Sequence, residues 1–190
     1  MSWPSTDQLQ GKKYTCFYCD CFVAPTRGYR RKEGNNFTGT IGICPNCDNA
    51  TYFDGHNEQF PGPMLGVPVS GITDQEVEQM YSEARACASV RAYTACVMAC
   101  RKILMNVAVH QKADEGKPFV YYVDFLDQNG YIPPNGRGWL DEIRKRGNMA
   151  THEIKLMQKD DAILVLKFTA ALLRFVYELP SELPKQKPST

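Results

Sequence analysis

Two Cys-x-x-Cys pairs, Cys16-Phe-Tyr-Cys19 and Cys44-Pro-Asn-Cys47, constrain this chain more than any other feature. Each pair can offer two thiolates from one tight turn, and four thiolates satisfy a tetrahedral metal ion. The 24 residues between Cys19 and Cys44 are enough for a hairpin that brings the turns together. Residues 12–57 are rich in Cys, Gly, aromatic and β-branched residues, and a module so short cannot bury much apolar surface, so it needs a staple. Four sulfur ligands close the coordination sphere and leave no position for water, which makes Cys16, Cys19, Cys44 and Cys47 ligands of a structural zinc ion. Cys21 could stand in for Cys19, although the spacing favours Cys19. His56 is read as exposed near the end of the ribbon.

Eight cysteines would also suit a disulfide framework, but no export signal begins the chain, so a reducing cytoplasm is expected. Cys87, Cys96 and Cys100 then act as small buried hydrophobes. Residues 162–179 are apolar over membrane length yet contain Lys167 and Arg174, which fits a bundle helix better than a span. No membrane association is expected.

Short strands are expected at residues 13–15, 37–43 and 50–53, each bounded by turn formers. Residues 59–71 contain three prolines and three glycines and read as an ordered or semi-rigid linker. From residue 73 the periodicity is helical. A capping box at Thr73-Asp74-Gln75-Glu76 starts a helix to about residue 88, and further helices are expected at 91–110, 119–128, 138–151 and 160–179. The expected layout is a zinc ribbon over 1–57, a linker over 58–72, a helical bundle over 73–180 and a disordered tail over 181–190. The fold class is therefore mainly α, with a small ribbon of short β-hairpins before four or five helices.

The formal net charge of +1 excludes a strongly basic or acidic chain, and only local clusters could serve charged partners. Arg27, Arg30, Arg31 and Lys32, with Tyr29 interleaved, would form a basic loop able to meet nucleic acid, or simply a solvated one. On a continuous helix, Arg144, Asn148 and His152 fall within roughly an 80° arc. Arg146 joins them only if Gly147 breaks the helix. A permanent cation, an amide and a titratable imidazole suit a phosphodiester. The same residues can also pair with carboxylates and close a helix end.

The segments YSEARAC, residues 92–104 with Arg101, IRKRGNMATH and QKDDAILVL resemble the prokaryotic domain-of-unknown-function family 4145. The likeness covers about residues 73–177 and centres on the pattern IR-x-x-GN-x-x-x-H. That family is often preceded by a four-cysteine ribbon and is similar to the HEPN superfamily of helical bundles. The resemblance implies a HEPN-like four- or five-helix bundle, paired as a homodimer, in bacterial or phage defence, counter-defence or toxin-antitoxin systems. Active HEPN members are metal-independent endoribonucleases. Carried over, His152 would be the acid/base, Arg144 or Arg146 the phosphate binder, and Asn148 a positioning residue. Arg146 leaves five residues before His152 and Arg144 leaves seven, and Leu104-Met105 stands where the family often has Leu-Glu. Two functions are expected from this: a nucleic-acid-binding or RNA-cleaving protein, or a non-catalytic adaptor for a protein partner.

Overall fold

Burial alternates along residues 50–54, with Thr51 and Phe53 buried, the pattern of a pleated strand with one buried face. In a computed structural model of the chain, residues 3–34, 36–132, 136, 138–139, 142–146 and 156–183 are described. The chain divides into two units, residues 1–64 and 65–190.

The first unit holds β1 (Asp7–Gln8), β2 (Tyr14–Thr15), β3 (Phe22–Val23), β4 (Arg27–Glu33), β5 (Asn36–Ile43), β6 (Ala50–Asp54) and β7 (Gln59–Phe60). Five of these form one sheet in the order β1-β4-β5-β6-β7, and β2 pairs with β3 as a separate ribbon. Every pairing is antiparallel. The mainly α fold class is thus corrected: the amino-terminal unit is organised by a five-stranded sheet, and the chain joins that sheet to helices. Charge hid the strand. Residues 27–33 read as a basic loop, yet they form β4, paired with β5 along its length and with β1 at residues 27–28, and long cationic stems extend from the sheet. Two glycines make the close pairing possible. A Cβ on Gly28 would lie 1.8 Å from the Ile41 carbonyl oxygen, and one on Gly39 would lie 2.7 Å from the Tyr52 ring.

The second unit contains α1 (Gln75–Ser89), α2 (Tyr93–His110), α3 (Phe119–Gln128) and α4 (Lys159–Leu173). A π-helical turn (Arg174–Glu178) and a short α5 (Leu179–Glu182) follow α4. Residues 142–146 are also helical. Helix α2 packs on α1, α3 and α4, burying Cys96, Val97, Cys100, Ile103, Leu104, Val107 and Ala108. Among the described residues no helix is long and apolar enough to cross a membrane.

Asp74, rather than Thr73, caps α1: its Oδ1 accepts from the N–H groups of Glu76 (2.9 Å) and Val77 (3.3 Å). Asp161 works at the third position of α4, accepting from the Gln158 N–H at 2.9 Å. The expected linker divides at Met64/Leu65, and its second part belongs to the helical unit. Leu65, Val69 and Ile72 pack on the core. Backbone groups of such a Pro/Gly-rich stretch have no helix or ladder of their own, so side chains supply the partners. Tyr81 Oη donates to the Val67 carbonyl (2.7 Å), and Arg85 Nε donates to the Leu65 carbonyl (3.0 Å). The buried Glu178 carboxylate accepts from Ser70 N–H (2.8 Å), Ser70 Oγ (3.1 Å) and Arg174 Nε (2.6 Å).

The Ser70 N–H and the Arg174 guanidinium hold the Glu178 carboxyl below the usual carboxylate range. A depressed carboxyl adds stability above its unfolded value, near pH 4.3, and loses it as pH falls through the lower folded value. Glu178→Gln is therefore expected to lower the thermal midpoint at pH 7, with the gap to wild type closing in acid. A constant gap across a calorimetric pH series would contradict this.

Candidate functional site

The two Cys-x-x-Cys turns lie between β2 and β3 and between β5 and β6. Their backbones repeat one pattern. Cys16 N–H donates to the Cys21 carbonyl (2.9 Å) and Asp20 N–H to the Cys16 carbonyl (2.9 Å). In the second turn Cys44 N–H donates to the Asn49 carbonyl (2.9 Å) and Asp48 N–H to the Cys44 carbonyl (3.0 Å). Asp20 and Asp48 both adopt left-handed φ, 58° and 61°, a region aspartate tolerates better than most residues. The recurring motif is therefore Cys-x-x-Cys-Asp. Its aspartate was readable in the sequence as a repeated letter and was missed.

Cys16, Cys19, Cys44 and Cys47 meet, with all four Sγ atoms within 4.8 Å of one another. Cys16 Sγ lies 3.7 Å from Cys47 Sγ, and Cys19 Sγ lies 3.8 Å from Cys44 Sγ. A tetrahedron with metal–sulfur bonds of about 2.3 Å has edges of about 3.8 Å. These four residues can thus hold a metal ion. Cys16 and Cys44 are buried, while Cys19 and Cys47 are partly so. Burial pushes the Cys16 thiol up to about 12 and raises that of Cys44. For Cys19, burial works upward, but the Asn46 amide, the Cys21 N–H and the neighbouring thiols bring it down to about 6. Four thiols this close can all ionise only around a shared cation.

The remaining ribbon residues support this centre. Asn49 Nδ2 donates to Cys47 Sγ at 3.5 Å, and Trp3 Nε1 donates to the Asp48 carbonyl at 2.9 Å. Tyr14 meets Phe53 edge-to-face at 5.0 Å beneath the cluster. His56 is exposed in the turn between β6 and β7 and is not one of the four grouped ligands.

The basic residues lie on β4 rather than on a loop. Arg27 pairs with Asp48 beside the second knuckle. Arg30 Nη2 donates to the Gln8 carbonyl (2.8 Å), and Arg31 pairs with Glu33 (2.8 Å). Lys32 is exposed, past the register shift in the β4–β5 pairing. Alternation along the strand sends these side chains to both faces, so they do not form one stripe.

Of the Arg/His segment, Arg144 and Arg146 are described, whereas Asn148 and His152 lie outside the described residues. Arg144 pairs with Asp124 on α3. Arg146 pairs with Glu142 on its own helix and, through Nε at 2.7 Å, with Asp161 on α4. Burial opposes the Arg146 charge, yet these two carboxylates outweigh it and hold its pKa above the ordinary value. Both guanidinium groups therefore tie the 142–146 turn to its neighbours.

Two outcomes follow. If the four thiols hold a metal ion, a chelator, or acidification from about pH 8 to about pH 5, is expected to strip it, because bound thiolates must regain protons. Melting of the β unit alone, followed by strand-region circular dichroism and metal analysis, checks it. Arg146→Ala is expected to destabilise the helical unit by about 1 kcal/mol, since it removes the cation that two partly exposed carboxylates, Asp161 and Glu142, share. A chemical-denaturation midpoint equal to wild type would refute that.

Comparison with curated proteins and with solved structures finds no match. A family model described as a domain of unknown function, DUF4145, matches residues 82–187. The match begins within α1, takes in Arg144, Arg146 and α4, and leaves the cysteine knuckles outside. Covering more than half of the chain, it establishes that the protein belongs to the DUF4145 family.

Proposed function

We propose that this protein is a non-catalytic recognition module, in which a zinc-stapled ribbon accompanies a HEPN-like helical unit that engages a protein partner. The observation that carries this reading is the fate of the two arginines. A phosphate-binding guanidinium has to present its fork to the ligand, and those of Arg144 and Arg146 are engaged by Asp124, Asp161 and Glu142. Arg27 and Arg31 are similarly matched to Asp48 and Glu33. An overall charge of +1 adds no long-range attraction for a polyanion.

Zinc is the ion in this proposal, and its role is structural, because a four-sulfur donor set suits zinc and leaves no open coordination position. On the helical unit, an apolar cleft of about 370 Å³ is lined by Ile132, Trp139, Phe168, Leu172, Phe175 and Leu179. Trp139, Phe175 and Leu179 remain 42–50% exposed, as anchor residues of a protein-binding surface are before the partner arrives. The setting would be defence, counter-defence or a toxin-antitoxin pair in a bacterial or phage cytoplasm, with two copies pairing through their helices.

The test is an RNA cleavage assay in EDTA, with binding read separately on the zinc-loaded chain. Structured and single-stranded RNAs are expected to stay intact in the first, and fluorescence anisotropy at low salt without chelator is expected to show no bound RNA in the second. EDTA-resistant cleavage that disappears in Arg146→Ala or His152→Ala would overturn the proposal in favour of a metal-independent endoribonuclease.

A further inference from the structure

Helix α4 and the turns after it leave an apolar stripe only half covered. Phe168, Leu172, Phe175 and Leu179 follow one another at intervals of four, three and four residues, the spacing of a single helix face. All four line the 370 Å³ cleft described above, with Phe168 and Leu172 buried at its base and Phe175 and Leu179 exposed. A second cavity, of about 390 Å³, shares Tyr131, Phe175 and Leu179 with the first and reaches Leu183, which is 70% exposed. The shared residues join the two cavities into one groove. At 1.5 Å per residue, the stretch from residue 167 to residue 183 spans roughly 24 Å.

The charge along this groove has one sign. Lys167 and Arg174 line it, and both are exposed. Among the described residues no Asp or Glu lines either cavity. Lys167 meets no carboxylate among the described residues. Arg174 is tied to Glu178 through Nε, and its two terminal nitrogens have no partner among the described residues. The two cations stand seven residues apart, which on α4 is two turns, or about 10 Å, along the same edge.

A long hollow with an apolar floor takes the apolar face of a helix, anchored at i, i+4 and i+7. We propose that this groove binds one amphipathic helix of a protein partner, whose acidic side chains, seven residues apart, meet Lys167 and Arg174. The inference rests on the protein-recognition reading above and names the chemistry of the partner. Two other occupants match the groove less well. The residues after Leu183 carry Lys185, Lys187 and two prolines but no acid, so they would bring like charge to Lys167. A second copy joined by a two-fold axis would set the groove against itself. A hollow edged by cations complements neither its own shape nor its own charge.

The experiment uses the full chain as purified and two fluorescein-labelled helical peptides of roughly 18 residues, with leucines at i, i+4, i+7 and i+11. One peptide carries Glu, and the other Lys, at two flanking positions seven apart. Fluorescence anisotropy is expected to show the Glu peptide bound about tenfold more tightly than the Lys peptide, with the difference shrinking as salt rises. Lys167→Glu, at an exposed position, is expected to weaken the Glu peptide by about fivefold and to strengthen the Lys peptide. Phe175→Ala is expected to weaken both by about tenfold, and Leu179→Ala serves as a second variant should Phe175→Ala fold poorly. Equal binding of the two peptides to wild type, or an unchanged preference in Lys167→Glu, would overturn the inference. So would a fall from dimer to monomer in Phe175→Ala or Leu179→Ala by light scattering with neither peptide bound, which would give the groove to a second copy. Unbound peptides with intact RNA sink the groove assignment alone, whereas cleaved RNA with the Glu peptide preferred sinks the non-catalytic reading and upholds the groove.

Discussion

The first unit is built around sulfur. Its buried cluster consists of Tyr14, Cys16, Cys44 and Phe53, with Cys19, Val23 and Cys47 packed against it. The four grouped cysteines thus make up most of that cluster, where a larger domain would place Leu, Ile and Phe. Thiols supply less apolar surface than those residues, and burial keeps Cys16 and Cys44 protonated unless a cation joins them. A bound ion converts the arrangement into a fixed vertex. The β2–β3 ribbon leaves it on one side, and the β5 and β6 strands of the sheet leave it on the other.

The helical unit depends on a different economy of polar groups. Its core is apolar and centred on α2, but its irregular segments are held by buried or half-buried charges. Arg85 and Glu178 bind the backbone of residues 65, 66 and 70, a stretch without helix or ladder bonds of its own. Arg144 and Arg146 gather Asp124, Glu142 and Asp161, and Asp161 caps α4 as well. Asp74 joins the N-terminus of α1 to His110 at the end of α2, with Nε2 and Oδ2 3.1 Å apart. Arg144 and Arg146 thus tie helices together in this arrangement.

Some elements were legible from local signals alone. The run Phe119–Gln128 ends at Asn129-Gly130, and α3 has those bounds. The expected strands at 37–43 and 50–53 match β5 and β6 within a residue. The β4 strand was not legible, because Arg30-Arg31-Lys32 carries the composition of a solvated loop and lacks an apolar face. Its extended form comes from β1 and β5 on either side, which the local sequence does not encode. The long last helix was expected to be continuous, yet it passes through a π turn at Arg174–Glu178, where Glu178 binds Ser70 from far along the chain.

Spacing by itself picked out the four cysteines that the fold groups, since two Cys-x-x-Cys turns carry their own geometry and need only be brought together. Helical periodicity likewise determined where α1, α2 and α3 lie. Only the tertiary structure decided which carboxylates the arginines meet. A guanidinium at the right interval from a histidine reads as a phosphate clamp until the opposing surface is known, and here Asp124 and Asp161 arrive from other helices to neutralise it. Side-chain charge is a local property, whereas its use depends on which partner the fold delivers within a few ångströms.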